Sequence, residues 1–192
     1  MRRWIVTLAL VITVPALAAP RLTRNGKATA LVVLPNDATP AESAAATELV
    51  QTVKLLNGAT LDVVDARQSD TRPKRWTRVY LGRAAVGPGR LRASDLPDGG
   101  YIARAIGDDL FIAGDDQPSE RGGTWELDDL WDAAGTLHGV HGVLRSTFGV
   151  RWIWPGETGT HAPATPTLTM PADYELVFAP YTGIAAVVRI AH

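Results

Sequence analysis

Residues 30–58 read ALVVLPNDATPAESAAATELVQTVKLLNG, and this stretch decides the fold. Its first five residues are apolar and are closed by a proline, which predicts a buried strand. Thr39 and Glu42, with a proline between them, then form the pattern of a helix start. The threonine hydroxyl caps the helix, the proline suits its first position, and the glutamate completes a capping box. We expect the helix to run to about Leu56 and to end at a left-handed turn at Gly58.

Downstream, the sequence predicts further strands and one more helix. Short apolar runs bounded by turn residues predict four strands, at 61–64, 78–81, 101–106 and 110–113. A second helix is predicted from about Thr136 to Phe148, and another strand at 150–154. Two helices cannot cover both faces of such a sheet. The order therefore predicts an α+β fold, a two-layer sandwich with a mixed, mostly antiparallel sheet and both helices on one face.

The N-terminus has the pattern of a secretory signal peptide. Arg2 and Arg3 give it a positive start, an apolar run extends from Trp4 to Val14, and residues 16–18 have the small-x-small pattern that signal peptidase recognises. This run is shorter than the roughly 20 residues that are needed to span a bilayer. We therefore predict a signal peptide at 1–19 and a secreted or periplasmic bacterial protein with no membrane association after cleavage.

Composition argues against several classes of function. The chain has 192 residues, no cysteine and a formal net charge of −1. Without cysteine, neither disulfides nor thiolate metal sites can form, and without a basic stripe nothing favours binding to nucleic acid. The sequence also contains no serine nucleophile elbow, phosphate-binding loop or dinucleotide fingerprint. We predict no catalytic residue and no cofactor.

Histidines and acidic residues are the remaining candidates for metal binding or catalysis. His138 and His141 lie three apart on the second predicted helix, but no third ligand follows at the spacing of a metal site. The acidic stretch 115–134 does not match the EF-hand pattern, so a solvated loop is favoured over a calcium site. Nothing in the sequence places Asp115 and Asp116 across a sugar, as glycoside hydrolysis requires. We predict no metal site and reject catalysis by these acids.

Three stretches together resemble a known family. They are ATPAE at 38–42 with the Glu-Leu and Asn-Gly-Ala that follow it at 48–49 and 57–59, GTLHGV at 135–140, and GVRWIWPGE at 149–157. Over roughly residues 28–171, the chain resembles the N-terminal domain of family 67 alpha-glucuronidases, which is also found in front of glycosidase-like barrels in uncharacterised bacterial proteins. The resemblance implies an accessory α/β sandwich, related to the second domain of beta-hexosaminidases, that packs against a barrel carrying the catalytic carboxylates.

The resemblance also implies a division of the chain. After the signal peptide, residues 20–172 form the accessory domain and residues 173–192 form a C-terminal tail. In the family the barrel begins soon after the position of residue 171, whereas residues 181–192 do not resemble the start of a barrel. Two interpretations stay open: a truncated or frameshifted gene product, and a stand-alone module. In the first, the chain is a non-catalytic part of an exported glycan-degrading protein, and its partner is a catalytic barrel in cis or in trans.

Aromatic residues supply the candidate contacts. Trp152 and Trp154 are two apart on a predicted strand and therefore point to one face, with Arg151 and Glu157 as hydrogen-bonding neighbours. Large aromatic residues mostly lie in cores or interfaces, so packing under the helices or against a neighbouring domain is favoured over sugar stacking.

Two more tryptophans, Trp125 and Trp131, lie in the acidic stretch and are expected to be more exposed. The six residues are candidates for contact with a barrel. In the alternative function, a carbohydrate-binding module, they are candidates for contact with xylan-type or other acidic polysaccharides.

Overall fold

The computed structural model describes residues 18–71, 73–116, 134–154, 157–180 and 184–189. The signal peptide predicted at 1–19 lies almost entirely outside these ranges and stays a prediction. The described elements are, in chain order, β1 (Arg21–Arg24), β2 (Lys27–Ala28), β3 (Ala30–Leu34), α1 (Pro40–Asn57), β4 (Asp62–Asp65), β5 (Thr77–Leu81), β6 (Tyr101–Ile106), β7 (Asp109–Gly114), α2 (Gly135–Phe148), β8 (Arg151–Trp152), β9 (Thr160–His161), β10 (Leu168–Thr169), β11 (Glu175–Ala179) and β12 (Ile184–Arg189). Within the described residues, neither helix is long and apolar enough to cross a membrane.

Seven strands form the main sheet, in the order β12-β11-β6-β7-β5-β3-β4. β3 runs parallel to β4 and β5, and β5 runs parallel to β7. Parallel strands need a long connection between them, and α1 forms the connection from β3 to β4. The β6–β7 hairpin and the added strands β11 and β12 are antiparallel, as are two smaller sheets, β10-β1-β2 and β8-β9. The predicted α+β sandwich with a mixed, mostly antiparallel sheet is confirmed.

Both helices pack on the same face of the main sheet. Leu49 and Val53 of α1 and Val140 of α2 are fully buried there in one continuous core with the strands. The opposite face is covered by residues 82–99, which form short 3-10 turns and irregular chain instead of a helix. Leu91, fully buried, packs on that face in a second cluster. The sandwich therefore has one helical layer, and its sheet is buried on both sides.

The start of α1 has the geometry that its sequence predicts. The hydroxyl of Thr39 accepts a hydrogen bond from the N–H of Glu42 at 3.2 Å, and the Glu42 carboxylate accepts one from the N–H of Thr39 at 2.8 Å. The helix ends at Gly58, whose φ of 80° is left-handed and whose N–H donates to the carbonyl of Lys54 at 2.8 Å. These contacts satisfy backbone groups that a helix otherwise leaves unpaired at its two ends.

The second helix, α2, lies close to the sheet because glycines face it. A Cβ atom at Gly139 would lie 2.7 Å from Cγ2 of Ile112, and one at Gly142 would lie 2.6 Å from Oη of Tyr101. The sequence predicted this helix to within one residue at its start. The glycines of the GTLHGV motif and its continuation therefore have a packing role, since they let the helix backbone approach β6 and β7.

The C-terminal region departs from two expectations. The strand predicted at 150–154 forms a ladder only at Arg151–Trp152, opposite Thr160–His161. Residues 173–192 are expected to form a C-terminal tail, yet Glu175–Ala179 and Ile184–Arg189 form β11 and β12 of the main sheet. Leu176 of β11 is buried, and this strand pairs with β6, so this part of the chain helps to build the core.

Candidate functional site

Three consecutive apolar side chains are exposed shortly after α2. Trp152, Ile153 and Trp154 keep 36%, 65% and 56% of their accessible surface. The N–H of Ile153 donates to the carbonyl of Gly159 at 2.8 Å, so the segment is held as one arm of a short hairpin. Large exposed apolar side chains that lie this close together favour a place where a protein contacts a partner or a ligand. Residues 152–154 are termed the tryptophan ridge below.

The other predicted contact residues lie around the ridge or outside the described chain. Arg151 is exposed, and its Nη1 donates to the carbonyl of Arg145 at 3.1 Å, which braces β8 against the last turns of α2. Glu157 begins a short 3-10 turn that precedes β9. Trp125 and Trp131 lie outside the described residues.

Trp152 is fixed against both helices. Its Nε1 donates to Oε1 of Glu48 on α1 at 3.2 Å, and its ring lies 4.7 Å from that of His141 on α2, centroid to centroid. The same Glu48 oxygen accepts from the hydroxyl of Thr52 at 3.0 Å and lies 3.8 Å from Nε2 of His141. The indole therefore lies beside the helices, partly exposed, and not beneath them.

A cleft of about 530 Å³ opens next to Trp152, between α2 and the β6–β11 end of the sheet. It is lined by Tyr101, His138, His141, Gly142, Arg145, Trp152 and Phe178. Tyr101 is only 5% exposed, and its ring stacks on that of Phe178 with centroids 5.4 Å apart. This aromatic cleft combines ring surfaces with a few polar groups, which is the usual make-up of a small-molecule site.

The polar side chains of the aromatic cleft are basic. His138, His141 and Arg145 follow one another at three- and four-residue intervals, so α2 presents them on one side. Burial lowers the pKa of both imidazoles. For His141, the Glu48 carboxylate opposes this effect, and the nearby charges of His138 and Arg145 add to it. Burial therefore favours the neutral form of both imidazoles.

A second cleft, of about 650 Å³, lies where the parallel strands β3, β5 and β7 end. Its charged lining includes Glu42, Arg83, Asp98, Asp115 and Asp116. Ligands of open α/β sheets often bind at this edge. Here, however, two of the acids hold loops in place.

One oxygen of Asp115 accepts a hydrogen bond from the N–H of Gly99 at 3.1 Å, and Asp116 accepts from the N–H and the hydroxyl of Thr136. Burial raises the pKa of Asp116 to about 6, although the hydrogen bonds from Thr136 oppose the shift. These hydrogen bonds join the end of β7 to the loop before β6 and to the first turn of α2. Asp115 and Asp116 therefore have a structural role in the second cleft.

Sequence reasoning missed most of the aromatic cleft. The sequence led us to weigh His138 and His141 as metal ligands, and not as the lining of a cleft. In the described part of the chain, no three histidine, aspartate or glutamate side chains are grouped to hold a metal ion. The spacing of the two histidines and Arg145 was a signal available in the sequence. Tyr101 and Phe178 come from strands far away along the chain, and no local pattern connects them with α2.

Comparisons with known proteins add no relative. No family model matches the chain, and no curated protein matches it. The resemblance of residues 38–42, 135–140 and 149–157 to alpha-glucuronidase N-terminal domains therefore stays an expectation from the sequence.

Proposed function

We propose that the chain is a non-catalytic accessory domain of an exported glycan-degrading protein, and that its tryptophan ridge contacts a catalytic barrel. The observation that supports the contact is the exposure of three adjacent apolar side chains, at 36%, 65% and 56%. Single exposed apolar residues are ordinary, but three large ones in consecutive positions favour a contact surface. The barrel itself is what the resemblance of residues 38–42, 135–140 and 149–157 together implies.

The ridge is also suited to contact because its base is rigid. Trp152 is held by a hydrogen bond to Glu48 and by ring contact with His141, and Arg151 is tied to the end of α2. Side chains that are already ordered lose less conformational entropy when a partner binds. An apolar surface that is already ordered is therefore more consistent with binding a partner than with facing only water.

The contact surface is tested by comparing the ridge with a matched exposed residue. Ile153→Gln and Trp154→Gln reduce the apolar surface of the ridge, whereas Leu55→Gln does the same at a residue 48% exposed on α1. We expect the purified chain to bind a hydrophobic dye and to self-associate, and we expect both to decrease in the ridge variants and to persist in the control. A monomeric chain that does not bind the dye would contradict the proposal.

The partner is tested at the gene. The locus is sequenced through the codon for His192 and beyond, and translated in all three forward frames. We expect a barrel-encoding continuation in one of them, in agreement with a cis partner. If unrelated sequence follows, the cis partner is excluded, and the trans partner is tested by isolating proteins bound to the wild-type chain but not to the ridge variants.

The aromatic cleft favours a second candidate function, carbohydrate binding. Trp152 and Phe178 offer ring faces at an open cleft that also has polar side chains. Titration with xylan-type and other oligosaccharides is expected to shift the tryptophan fluorescence of the chain, and Trp152→Ala is expected to reduce the shift. If no member of a broad panel shifts the fluorescence, this candidate fails.

A further inference from the structure

We propose that a basic cleft at one edge of the main sheet binds a ligand that carries two or more phosphate groups. The cleft has a volume of about 710 Å³, and its charged lining consists of Arg21, Arg24, Lys27, Arg75 and Asp108. It shares no lining residue with the aromatic cleft or the tryptophan ridge. The inference therefore goes beyond the proposed function and does not depend on it.

The basic cleft lies at the edge of the sheet where β3, β5 and β7 begin. Its lining includes Thr29, which precedes β3, Thr77, the first residue of β5, and Asp108, which precedes β7. The hairpin of β1 and β2 is tied to this edge, because the N–H of Arg21 donates to Oγ1 of Thr77 at 2.9 Å and the hydroxyl of Thr29 donates to the carbonyl of Arg21 at 2.8 Å. The fold thus brings basic residues of this hairpin close to Arg75, which lies far away along the chain.

Positive charge exceeds negative charge in the basic cleft. All four basic side chains are exposed, and Asp108 is the one acidic residue of the lining that the structure describes. Among the ion pairs that the described residues form, none engages these four side chains. The whole chain has a formal net charge of −1, so its composition does not explain this local excess. Like charges that line a concave site attract ligands of the opposite sign.

Two of the cations are held side by side by the backbone. Arg24 and Lys27 lie directly opposite each other in the pairing of β1 and β2, an arrangement of like charges that destabilises a sheet. Asn25 and Gly26 join them with φ values of 50° and 71°, as a tight two-residue hairpin turn requires. The N–H of Gly26 donates to the carbonyl of Pro166 at 2.8 Å, which fixes the turn. A bound anion offsets the repulsion that this rigid hairpin maintains.

The charge and the donor types of the basic cleft favour phosphate over carboxylate. A phosphate monoester carries a charge of about −1.5 to −2 at pH 7 and presents three acceptor oxygens, so two such groups balance the four basic residues. Arginine can bind phosphate through two parallel N–H groups, and lysine binds it as a point charge. The lining supplies both types of donor, and the volume of the cleft is within the usual range of small-molecule sites.

The experiment uses the intact purified chain and isothermal calorimetry with pyrophosphate and citrate, two anions of similar charge at pH 7.5. Arg24→Gln and Lys27→Gln are measured singly and together, and Arg67→Gln removes one charge from an exposed position after β4, at the opposite edge of the sheet. We expect pyrophosphate to bind more tightly than citrate, about tenfold or more weakly to the double variant, and equally to the wild type and Arg67→Gln, because charge-assisted hydrogen bonds are lost only in the cleft. Tm of the double variant should not decrease, since the substitutions remove a repulsion.

Sedimentation with lipid vesicles distinguishes the two sources of phosphate. Binding to vesicles that contain phosphatidylglycerol, but not to vesicles of phosphatidylcholine alone, supports a layer of anionic lipid headgroups if the double variant loses it. Binding of pyrophosphate without binding to vesicles supports a soluble phosphorylated ligand. Equal affinity for citrate, or equal weakening by Arg67→Gln, shows a general attraction of anions and overturns the inference. It is also overturned if neither pyrophosphate nor the vesicles bind.

Discussion

Removal of the Glu42 carboxylate tests how α1 is joined to the sheet. Glu42 is fully buried and accepts a hydrogen bond from the N–H of Thr39 at 2.8 Å. It also accepts from three donors of Arg83, the backbone N–H at 2.8 Å, Nε at 3.2 Å and Nη2 at 3.1 Å. Glu42→Ala leaves all four donors without this acceptor, so the helix start and the loop after β5 lose their shared anchor.

The size of the effect follows from two contributions. Loss of a helix cap costs about 1 kcal/mol. Breaking a fully buried ion pair costs about 3–5 kcal/mol, but the Arg83 side chain is 52% exposed and regains water, so only about 1–2 kcal/mol of that applies. We therefore expect Glu42→Ala to lower the free energy of unfolding by about 2–3 kcal/mol, which lowers Tm by about 4–12 °C in a domain of this size.

The assay is urea unfolding followed by circular dichroism, with Tm from calorimetry. Asp37→Asn is the control, because Asp37 also pairs with Arg83, at 3.1 Å, but is 79% exposed; we expect it to change stability little. Arg83→Ala and the double variant complete a cycle, in which the two substitutions should be less than additive. If Glu42→Ala matches the wild type, or if the two effects add fully, the carboxylate is not the anchor that its contacts indicate.

Three further expectations concern pH and packing. Burial raises the pKa of Asp116 from 3.8 to about 6. Because the folded state binds this proton more tightly than the unfolded chain does, Asp116 stabilises the fold at low pH, and this contribution is lost as pH rises through 6. Asp116→Asn should therefore flatten the pH dependence of the urea midpoint between pH 4 and 7. Burial lowers the pKa of His141 below its ordinary value of 6.5. As pH drops below 6.5 the unfolded chain therefore takes up this proton before the folded chain does, and the free energy of unfolding falls. His141→Gln should reduce that fall, and a variant with the wild-type pH profile of stability would contradict this expectation. A Cβ at Gly114 would lie 2.3 Å from the carbonyl carbon of Gly135, so Gly114→Ala should destabilise by about 2–3 kcal/mol, and an unaltered Tm would refute the close backbone contact.

The sequence by itself determined the features that neighbouring residues decide. The capping box of Thr39 and Glu42, the left-handed end at Gly58 and the limits of both helices were all predicted and are confirmed. So are the two strands β6 and β7. Each depends on residues a few positions apart, whose hydrogen bonds and backbone preferences are local. The number of helices relative to strands then predicted a single helical layer.

Only the tertiary structure decided what distant segments do to one another. The anchor from Glu42 to Arg83 spans 41 positions, and the hydrogen bond from Trp152 to Glu48 spans 104. The parallel order of β4, β3, β5 and β7, the addition of β11 to β6, and the aromatic cleft at Tyr101 depend equally on long-range packing. Periodicity and turn chemistry describe one segment at a time. They cannot specify which strands pair or which side chains meet, because those contacts gain their free energy only when the whole core assembles.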